Sequence, residues 1–539
     1  MRFIFFRNFV LQKRIFLFMK NILLLIFLFF TKTLFAQEDY GQKVAYQLLE
    51  YSQNNRVEKV FLQLDKPNYS VGENIFFKAC LVEGTKNKSD TTSKILYCDL
   101  IEKNSGLLLQ KQTCPLSEGL GNGFLKIPDT LASGKYTLRA YTNWMKNFDE
   151  NYFFYQNIDI LNPKKPCSAN VLPYDFSLVF FPESGKIIED IQMKIAFQFF
   201  ENKEQNTDIQ GFILGKKGDT ITTFASEKFG MGFFRLKAKA NEKYIARLTS
   251  NGKTKDFPLP TVETYGHNLS IDNLTSKETV SIGIKSKLPE NELGKPMIVI
   301  AQQHGNFAFL GRFTSSNQKT VLAIPCAMFA DGIVHFTIFD AKGKPFSERI
   351  IYNNAPNLLN INLLIEKERE QNMLLINVNN RDGRAIDANL SLAICDSSEV
   401  LEDIFLQNIS TYLPLVSDIK ERVVSPNYYF DRRNPSASKH LDLLMMTKSW
   451  TRFSWKNILE DKKKNHTFLA EKSILQAKKV ENNKEKSTAP LWQPSIITKN
   501  GQAKIILPDL KKGTTYRIIV QGKNEKGALG FEKIMYKSI

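Results

Sequence analysis

The chain is 539 residues long, which exceeds what one hydrophobic core supports and predicts about three to five domains. Hydrophobic residues make up 43% of the sequence and aromatic residues 12%, which provides for several packed cores and favours strands over helices. The formal net charge of +18 favours anionic partners such as envelope polymers, but no nucleic-acid-binding motif accompanies it, so we expect no nucleic-acid partner.

The N-terminal region has the pattern of an export signal. A nine-residue apolar run at 22–30 follows Lys20, and the small residue Ala36 precedes Gln37. This run is shorter than the roughly 20 residues that a transmembrane helix needs. We therefore predict a signal peptide over 1–36 that is cleaved between Ala36 and Gln37, with an uncleaved membrane anchor as the alternative.

Export determines the expected surroundings of the mature protein. We expect it in the periplasm, at the outer membrane or outside the cell, with only peripheral membrane contact. The start of translation stays open between Met1 and Met19, because Met19 and Lys20 already begin a complete signal.

The cysteines and histidines lack the spacing of a metal site or of a compact disulfide scaffold. No two cysteines have the CxxC spacing, and the five histidines lie apart from the cysteines and from each other, so we expect no zinc site. Cys80 and Cys98 fall within apolar strands and are expected to be buried free thiols, with a bridge between them as the alternative. The six cysteines are Cys80, Cys98, Cys114, Cys167, Cys326 and Cys395.

A glycine-to-tyrosine segment occurs more than once and indicates tandem duplication. It spans 123–136 and, about 108 residues later, 232–244, and a looser copy spans 501–516. Each copy reads as a strand, a polar turn and a second strand with alternating apolar and polar residues. Reuse of one supersecondary unit predicts a row of similar β-domains, and such arrays mostly bind other molecules or act as scaffolds.

The predicted fold class is all-β, with tandem antiparallel β-sandwiches and a small helical insertion near the C-terminus. After about residue 400 the strand pattern gives way to helical spacing, which predicts helices over 400–420 and 441–459. The predicted segments are an N-terminal helix (37–56), a first sandwich (57–162), a second (171–261), a third (267–355), a fourth (356–399 and 489–539), a helical insertion (400–459) and a basic flexible loop (460–488).

Several short phrases resemble a known superfamily. The segment Asp65-Lys66-Pro67-Asn68-Tyr69, followed by Gly72-Glu73, resembles the first turn of a macroglobulin domain of the alpha-2-macroglobulin superfamily, where it joins the first two strands of a seven-stranded sandwich. The resemblance is closer to a bacterial branch of exported macroglobulin-domain proteins, some of which carry carboxypeptidase-regulatory-like and TonB-dependent-receptor plug domains. The other phrases that carry it are 140–147 (with Tyr141, Thr142, Trp144 and Met145), 180–185, 417–420, 443–455 (with Trp450 and Trp455) and 491–494.

The resemblance implies a non-catalytic string of sandwiches that binds or scaffolds a protein partner at the cell envelope. TonB-dependent outer-membrane machinery is the partner class that it suggests. Protease-trapping members of the superfamily use a Cys-Gly-Glu-Gln thioester, and none of the six cysteines has that context, so we expect no covalent trapping. The alternative is an endopeptidase inhibitor that acts without a thioester.

The phrase at 65–73 has two possible roles. As a structural turn, Pro67 fixes the bend, Gly72 takes a positive φ and Asp65 accepts hydrogen bonds from the backbone. As a surface site, Asp65, Lys66 and Tyr69 would contact a partner. The turn is the interpretation that we favour.

No residue is predicted to be catalytic or to bind a cofactor or a metal. Ser417 and Lys420 have the SxxK spacing of penicillin-recognising enzymes, but the SDN and KTG elements are missing, so we expect a helix end. The glycines at 119–123 lack the spacing of a phosphate-binding loop and predict a turn.

The tryptophans are predicted to pack between elements. Trp144 and Met145 are expected to fill the seam between the first two sandwiches, with a partner anchor as the alternative. Trp450 and Trp455 are expected to pack the inserted helix onto the sandwich that it interrupts.

The basic loop at 460–488 is predicted to be a solvated linker. Its alternative role is that of a protease-accessible segment, similar to the cleavable bait of protease-trapping relatives. The candidate lysines are Lys462, Lys463, Lys464, Lys478 and Lys479.

Overall fold

The structure is a computed structural model that describes residues 40–103, 105–166, 173–202, 207–340, 342–355, 357–368, 371–399, 407–448, 455–459 and 485–538. It confirms the predicted fold class, because strands make up 52% of it and helices 13%, and a small helical region lies near the C-terminus. The described chain folds around four separate β-cores and two further clusters in which helices meet sheets.

The first sandwich packs two sheets around one core. Its strands are β1 (Glu58–Leu64), β2 (Asn68–Ser70), β3 (Asn74–Glu83), β4 (Ile95–Glu102), β5 (Leu108–Pro115), β6 (Leu120–Lys126), β7 (Gly134–Thr142) and β8 (Phe154–Leu161). They form the sheets β1-β3-β6 and β2-β8-β7-β4-β5, in which every pair is antiparallel except β2 with β8. Phe77 and Phe154, both 0% exposed, lie in this core together with residues of both sheets.

The second domain differs from a two-sheet sandwich. Its strands are β9 (Phe176–Pro182), β10 (Ile187–Ile188), β11 (Gln192–Glu201), β12 (Gln210–Leu214), β13 (Thr220–Lys228), β14 (Met231–Lys237), β15 (Ile245–Ser250), β16 (Lys253–Pro258) and β17 (Val262–Glu263). Seven of them form one sheet in the order β16-β15-β12-β13-β14-β11-β9. Strand β13 pairs with β12 up to Ala225 and with β14 from Ser226, where a register shift occurs. A strand that changes partner at such an irregularity turns a corner, so one sheet can wrap around one core.

The third and fourth sandwiches each pack three strands on four. The third contains β18 (Gly266–Asp272), β19 (Thr279–Lys287), β20 (Pro296–Gln303), β21 (Asn306–Thr314), β22 (Thr320–Pro325), β23 (Gly332–Phe339) and β24 (Pro345–Asn353), in the sheets β18-β19-β22 and β21-β20-β23-β24. The fourth contains β25 (Asn360–Glu368), β26 (Gln371–Asn379), β27 (Asn389–Asp396), β28 (Leu491–Ile497), β29 (Gln502–Ile506), β30 (Thr515–Lys523) and β31 (Leu529–Lys537), in the sheets β25-β26-β29 and β28-β27-β30-β31.

The glycine-to-tyrosine repeat has a common structural cause. In each of the three copies the tyrosine is buried, and its hydroxyl binds a backbone group a few residues earlier. Tyr136 donates to the Ala132 carbonyl (2.7 Å), and Tyr244 and Tyr516 each accept from the N–H five residues earlier (3.0 Å). This tyrosine-corner contact fixes the loop before the second strand, which in the first and fourth sandwiches belongs to the opposite sheet.

The described helices are α1 (Tyr40–Asn54), α2 (Ile409–Tyr412), α3 (Ala437–Thr447) and α4 (Trp455–Leu459). The predicted helix over 400–420 is wrong in its described part, since α2 is one turn long and Pro414 has no N–H with which to continue it. The predicted helix over 441–459 is also wrong, because α3 ends at Thr447 and Lys448 is extended (φ −103°, ψ 100°).

Helix α1 connects the first sandwich to the third. It buries Val44, Leu48 and Tyr51, the residues whose spacing predicts a helix here, in a cluster with Ile300 of β20. At its start, Tyr40 lies over Gly343, where a Cβ would come within 1.5 Å of the ring and φ is +75°. Only glycine fits this position without displacing the helix.

The sandwiches do not form the open row that tandem repeats suggest, because the fourth lies against the first. Lys78 of β3 donates to the Leu390 carbonyl of β27 (3.0 Å), and the Cys395 thiol donates to the Asp65 carbonyl (3.2 Å). The array is thus closed by contacts between residues more than 300 positions apart.

Candidate functional site

The helical insertion leaves the fourth sandwich after β27 and returns at β28, yet it packs on the other three. Leu444 and Met445 of α3 share one buried cluster with Met231 of the second domain and Ile350 of the third sandwich. We call this region, formed by 407–448, 455–459 and the sandwich surfaces that they contact, the interdomain junction.

The two shorter helices extend the junction. Tyr412 of α2 is part of the core of the first sandwich, where its ring lies 5.7 Å from that of Phe61 and 5.2 Å from that of Phe154. Trp455 of α4 packs edge-on against Phe339 of the third sandwich (4.7 Å). Each sandwich from the first to the third therefore receives a helix of the insertion.

A buried charge cluster joins the first sandwich, the third sandwich and the insertion. The Lys59 ammonium donates to Asp418 Oδ2 (2.6 Å) and to the Leu413 carbonyl (2.8 Å). His304 Nε2, from the turn between β20 and β21, lies 2.7 Å from the same carboxylate oxygen. All three side chains are at most 6% exposed. Since an unpaired buried charge is costly, the cluster favours one relative placement of these three parts.

A second buried cluster joins the second domain, the third sandwich and α3. Arg349 Nη2 of β24 lies 2.6 Å from Asp442 Oδ1 of α3, and its Nε lies 3.8 Å from Glu183 Oε1. Burial raises the pKa of Glu183, and the charge of Arg349 opposes that rise. Glu183 belongs to the phrase at 180–185, whose Ser184 and Gly185 have φ values of 71° and 91° and turn the chain at this contact.

The phrase at 65–73 is both a turn and a contact site. Tyr69, 2% exposed, donates to Asp65 Oδ1 (2.7 Å), which also accepts from the N–H of Phe76 (3.2 Å). Burial raises the pKa of Asp65 against the hydrogen bonds that it accepts from Ser487 and Tyr69. Gly72 has a φ of +81°, and a Cβ there would lie 2.4 Å from Asp129 Oδ1. Pro67 lies in the turn between β1 and β2.

The same phrase holds residues 485–488, which come just before β28. Lys66 Nζ binds Glu73 (2.8 and 2.9 Å) and the Thr488 hydroxyl (2.6 Å), and Thr488 donates to Glu73 Oε1 (2.7 Å). Ser487 donates to Asp65 Oδ2. The outward atoms of the turn therefore bind another segment of the same chain.

The phrase at 140–147 lies within the first sandwich, and the predicted seam with the second is wrong. Trp144 Nε1 donates to the Arg56 carbonyl (2.7 Å), and Met145 is buried in the first core. Tyr141 stacks between Tyr97 (5.6 Å) and Phe153 (4.6 Å).

Thr142 donates to Glu58 Oε2 (2.5 Å), and Glu58 also accepts from Ser93 and Arg56. Burial raises the pKa of Glu58 to about 6. The contacts of Trp144, Thr142 and Glu58 all lie within the first sandwich. They link the start of β1 to the end of β7.

The predicted packing of Trp455 on the fourth sandwich is also wrong. Its Nε1 donates to the Thr337 hydroxyl of β23 (2.6 Å), so α4 lies on the third sandwich. Trp450, the signal-cleavage pair Ala36 and Gln37 and the lysines Lys462, Lys463, Lys464, Lys478 and Lys479 lie outside the described residues, as do Cys167 and most of the loop at 460–488.

Ser417 and Lys420 are not brought together. Ser417 donates to the Leu413 carbonyl (2.8 Å) within the insertion, and Lys420 pairs with Asp149 of the first sandwich (2.6 Å). Asp418, between them, carries the interdomain ion pair. The phrase at 417–420 is thus a junction element.

An open groove lies between β8 and the insertion. Gln407 Nε2 donates to the Tyr155 carbonyl (3.2 Å), so the backbone of Tyr155 faces the groove, and that of Asn157 faces the same way. Strand β2 pairs with β8 only at 159–161, so the edge before it has no strand partner in the part of the chain that the structure describes. Lys420, Glu421 and Arg422 line the rim, and Lys420 is paired there with Asp149.

Sequence analysis missed the residues that form the two charge clusters. Lys59, His304 and Arg349 lie in segments that read as ordinary strands or turns. One signal was present, since Lys59 stands within an apolar strand where a lysine would be buried. Its partner, 359 positions away, has no local signal.

Among the described residues no group of three or more His, Cys, Asp and Glu side chains could hold a metal ion. No described helix combines the length and the apolar character needed to cross a membrane. Cys80, Cys98, Cys114, Cys326 and Cys395 are all unbridged.

No protein-family model matches the sequence, and a search of curated proteins found no match. Similar solved structures include the alpha-2-macroglobulins of Escherichia coli (9% identity, TM-score 0.32) and of Salmonella after reaction with methylamine (8% identity, TM-score 0.31). They match 89% of this chain but only 40% and 39% of those proteins, so the chain spans less than half of their length.

Another similar structure is dimeric latent PorU from Porphyromonas gingivalis, at 10% identity and a TM-score of 0.25, over 55% of this chain and 34% of that one. At these scores the similarities extend to sandwich arrays in general and decide no question of function.

Proposed function

We propose that the chain is an exported, non-catalytic macroglobulin-type protein that binds and scaffolds a protein partner at the bacterial cell envelope. The observation that carries this proposal is the structural role of the macroglobulin-like phrases. Charged side chains form contacts between domains in the phrases at 65–73, 180–185 and 417–420, as Asp418 does with Lys59 (2.6 Å). Side chains committed to fixing domain placement suit a rigid binding platform.

The partner that we propose belongs to TonB-dependent outer-membrane machinery. The groove beside β8 offers a place for it, because an unpaired strand edge can accept an extended peptide. Arg422 on its rim suits an acidic segment.

Crosslinking pull-down from envelope preparations tests this proposal. The wild-type protein should retain an outer-membrane component, and Arg422→Glu should weaken that capture. The matched control is Arg433→Glu, whose side chain is 91% exposed and binds only the nearby Asp431 among its described neighbours. Equal capture by the two variants would show that the groove does not bind the partner. Failure to enrich any envelope component would contradict the scaffold function.

Endopeptidase inhibition without a thioester is the second candidate. It is favoured by the contact of residues 485–488 with Asp65 and Lys66, since these residues are the C-terminal end of the loop that carries the candidate lysines. A cut in that loop would change how this segment is held on the first sandwich.

Incubation with a trypsin-like protease separates the two functions. Inhibition of the protease on a large substrate, lost when Lys462, Lys463, Lys464, Lys478 and Lys479 are changed to glutamine, would establish the inhibitor. Cleavage without any loss of protease activity would exclude it and leave the scaffold.

A further inference from the structure

Two lysines are buried together where the fourth sandwich meets the first. Lys78 of β3 is 7% exposed and Lys523 of β30 is 3% exposed. Both line one small cavity, which is also lined by Gln63, Cys80 and Ser391. In the part of the chain that the structure describes, no carboxylate forms an ion pair with either lysine.

The hydrogen bonds of these two ammonium groups are incomplete. Lys78 donates to the side-chain oxygen of Asn389 and to the Leu390 carbonyl (3.0 Å). Lys523 has one described acceptor, the Asn524 carbonyl at 3.4 Å, which is longer than a normal N–H···O bond. An ammonium group has three protons to donate, so Lys523 lacks acceptors.

A third donor faces the same space. The Gln63 side chain is 5% exposed, and its Oε1 accepts from the Ser391 hydroxyl. Its Nε2 is buried without any hydrogen-bond partner. The cavity is therefore lined by two cations and an unused amide donor.

The neighbouring thiol does not neutralise this charge. Burial raises the pKa of Cys80, although the charges of Lys523 and Lys78 oppose that rise. Burial lowers the pKa of Lys78 to about 8, which still leaves most of it charged at neutral pH. Two buried positive charges without a counter-charge are unfavourable, and a buried donor without an acceptor adds to that cost.

We propose that this cavity binds one small monatomic anion, of the size of chloride, between Lys78, Lys523 and Gln63. The cavity is small, and no carboxylate lines it. The anion would hold the first sandwich to the fourth, since Gln63 and Lys78 belong to one and Lys523 to the other.

Bromide provides the most direct test, because its anomalous scattering separates it from water. Crystals of the full protein grown or soaked in sodium bromide should show one anomalous peak within hydrogen-bond distance of Lys78 Nζ, Lys523 Nζ and Gln63 Nε2. A water molecule there in bromide, or a Gln63 amide turned so that its oxygen accepts from a lysine, would overturn the proposal.

Thermal unfolding gives an independent readout in solution. At constant ionic strength, replacing sodium gluconate by sodium chloride should raise the unfolding midpoint of the wild type, because the ligand binds the folded state. Lys523→Met should abolish this chloride-dependent shift. Lys533→Met, an exposed lysine on neighbouring β31, should keep it. Equal midpoints of the wild type in the two salts, or the same chloride shift in Lys523→Met, would contradict the site.

Discussion

At the scale of single residues, the protein is distinguished by charges that are buried in pairs between domains. Lys59 and Asp418 are 1% and 6% exposed and 2.6 Å apart, although 359 positions separate them in the sequence. Such a pair adds little net stability compared with an apolar pair. A wrong placement of the two domains is nevertheless strongly unfavourable, because each buried charge would lose its partner.

Removing one partner of this pair should therefore cost more than removing both. We expect Asp418→Asn to destabilise the junction by about 3–5 kcal/mol, and the double variant Lys59→Met, Asp418→Asn to recover part of that loss. Hydrogen exchange of the amides at 413–420 measures the effect. Lys420→Met, which breaks the half-exposed pair with Asp149, is the control and should cost about 0–1 kcal/mol. An additive double variant would show that the two charges are not coupled.

Glu58 predicts a local dependence on pH. Its pKa in the folded protein, about 6, lies above the ordinary value of 4.5, so the folded state binds this proton more tightly than the unfolded state does. The contribution of Glu58 to stability is therefore larger at pH 5 than at pH 7, by about 1 kcal/mol.

Hydrogen exchange of β1, corrected for intrinsic rates at each pH, measures this contribution. Glu58→Gln should remove the difference between pH 5 and pH 7, whereas Glu525→Gln, at an exposed position, should leave it in place. A wild-type β1 that is more stable at pH 7 than at pH 5 by the same amount would reverse the assigned direction.

At the scale of elements, helix α3 is the part of the insertion with the most extensive apolar contacts. Leu444 is 2% exposed and lies in the cluster shared with the second domain and the third sandwich. Leu444→Ala should destabilise this contact by about 2–5 kcal/mol.

The loss should appear as faster hydrogen exchange in β14 and β24, which contact α3, while β26 in the fourth sandwich stays protected. Ser438→Ala, on the exposed side of the same helix, provides the control. Protection that falls equally in all four sandwiches would mean that α3 does not act locally.

The elements also show what the sequence can predict. The strand-turn-strand repeats follow from period-two alternation, and the tyrosine at the start of each second strand follows from the corner contact that it makes. The docking of α2, α3 and α4 on the first three domains, and not on the fourth sandwich that they interrupt, could not be predicted. It depends on the shapes of surfaces that form only after each sandwich folds. Trp455 shows this, since its apolar ring predicts burial but not the contact with Phe339.

The same limit applies to the candidate site. The phrase at 65–73 could be recognised because Asp65, Pro67 and Gly72 meet local requirements of a turn. Its contacts with Ser487 and Thr488 could not, because nothing in a local pattern encodes a partner about 420 positions away.

At the scale of the whole molecule, four β-domains form one closed body. The fourth sandwich lies on the first, and the insertion contacts the first three. A closed body of this kind differs from a string of independent domains in how far it extends in solution.

Small-angle X-ray scattering from the purified protein measures whether the four β-domains are closed on each other. We expect a bell-shaped Kratky plot and a maximum dimension equal to that of the closed arrangement, unchanged between low and high salt. A plateau in the Kratky plot, or a dimension that matches four sandwiches joined end to end, would contradict it.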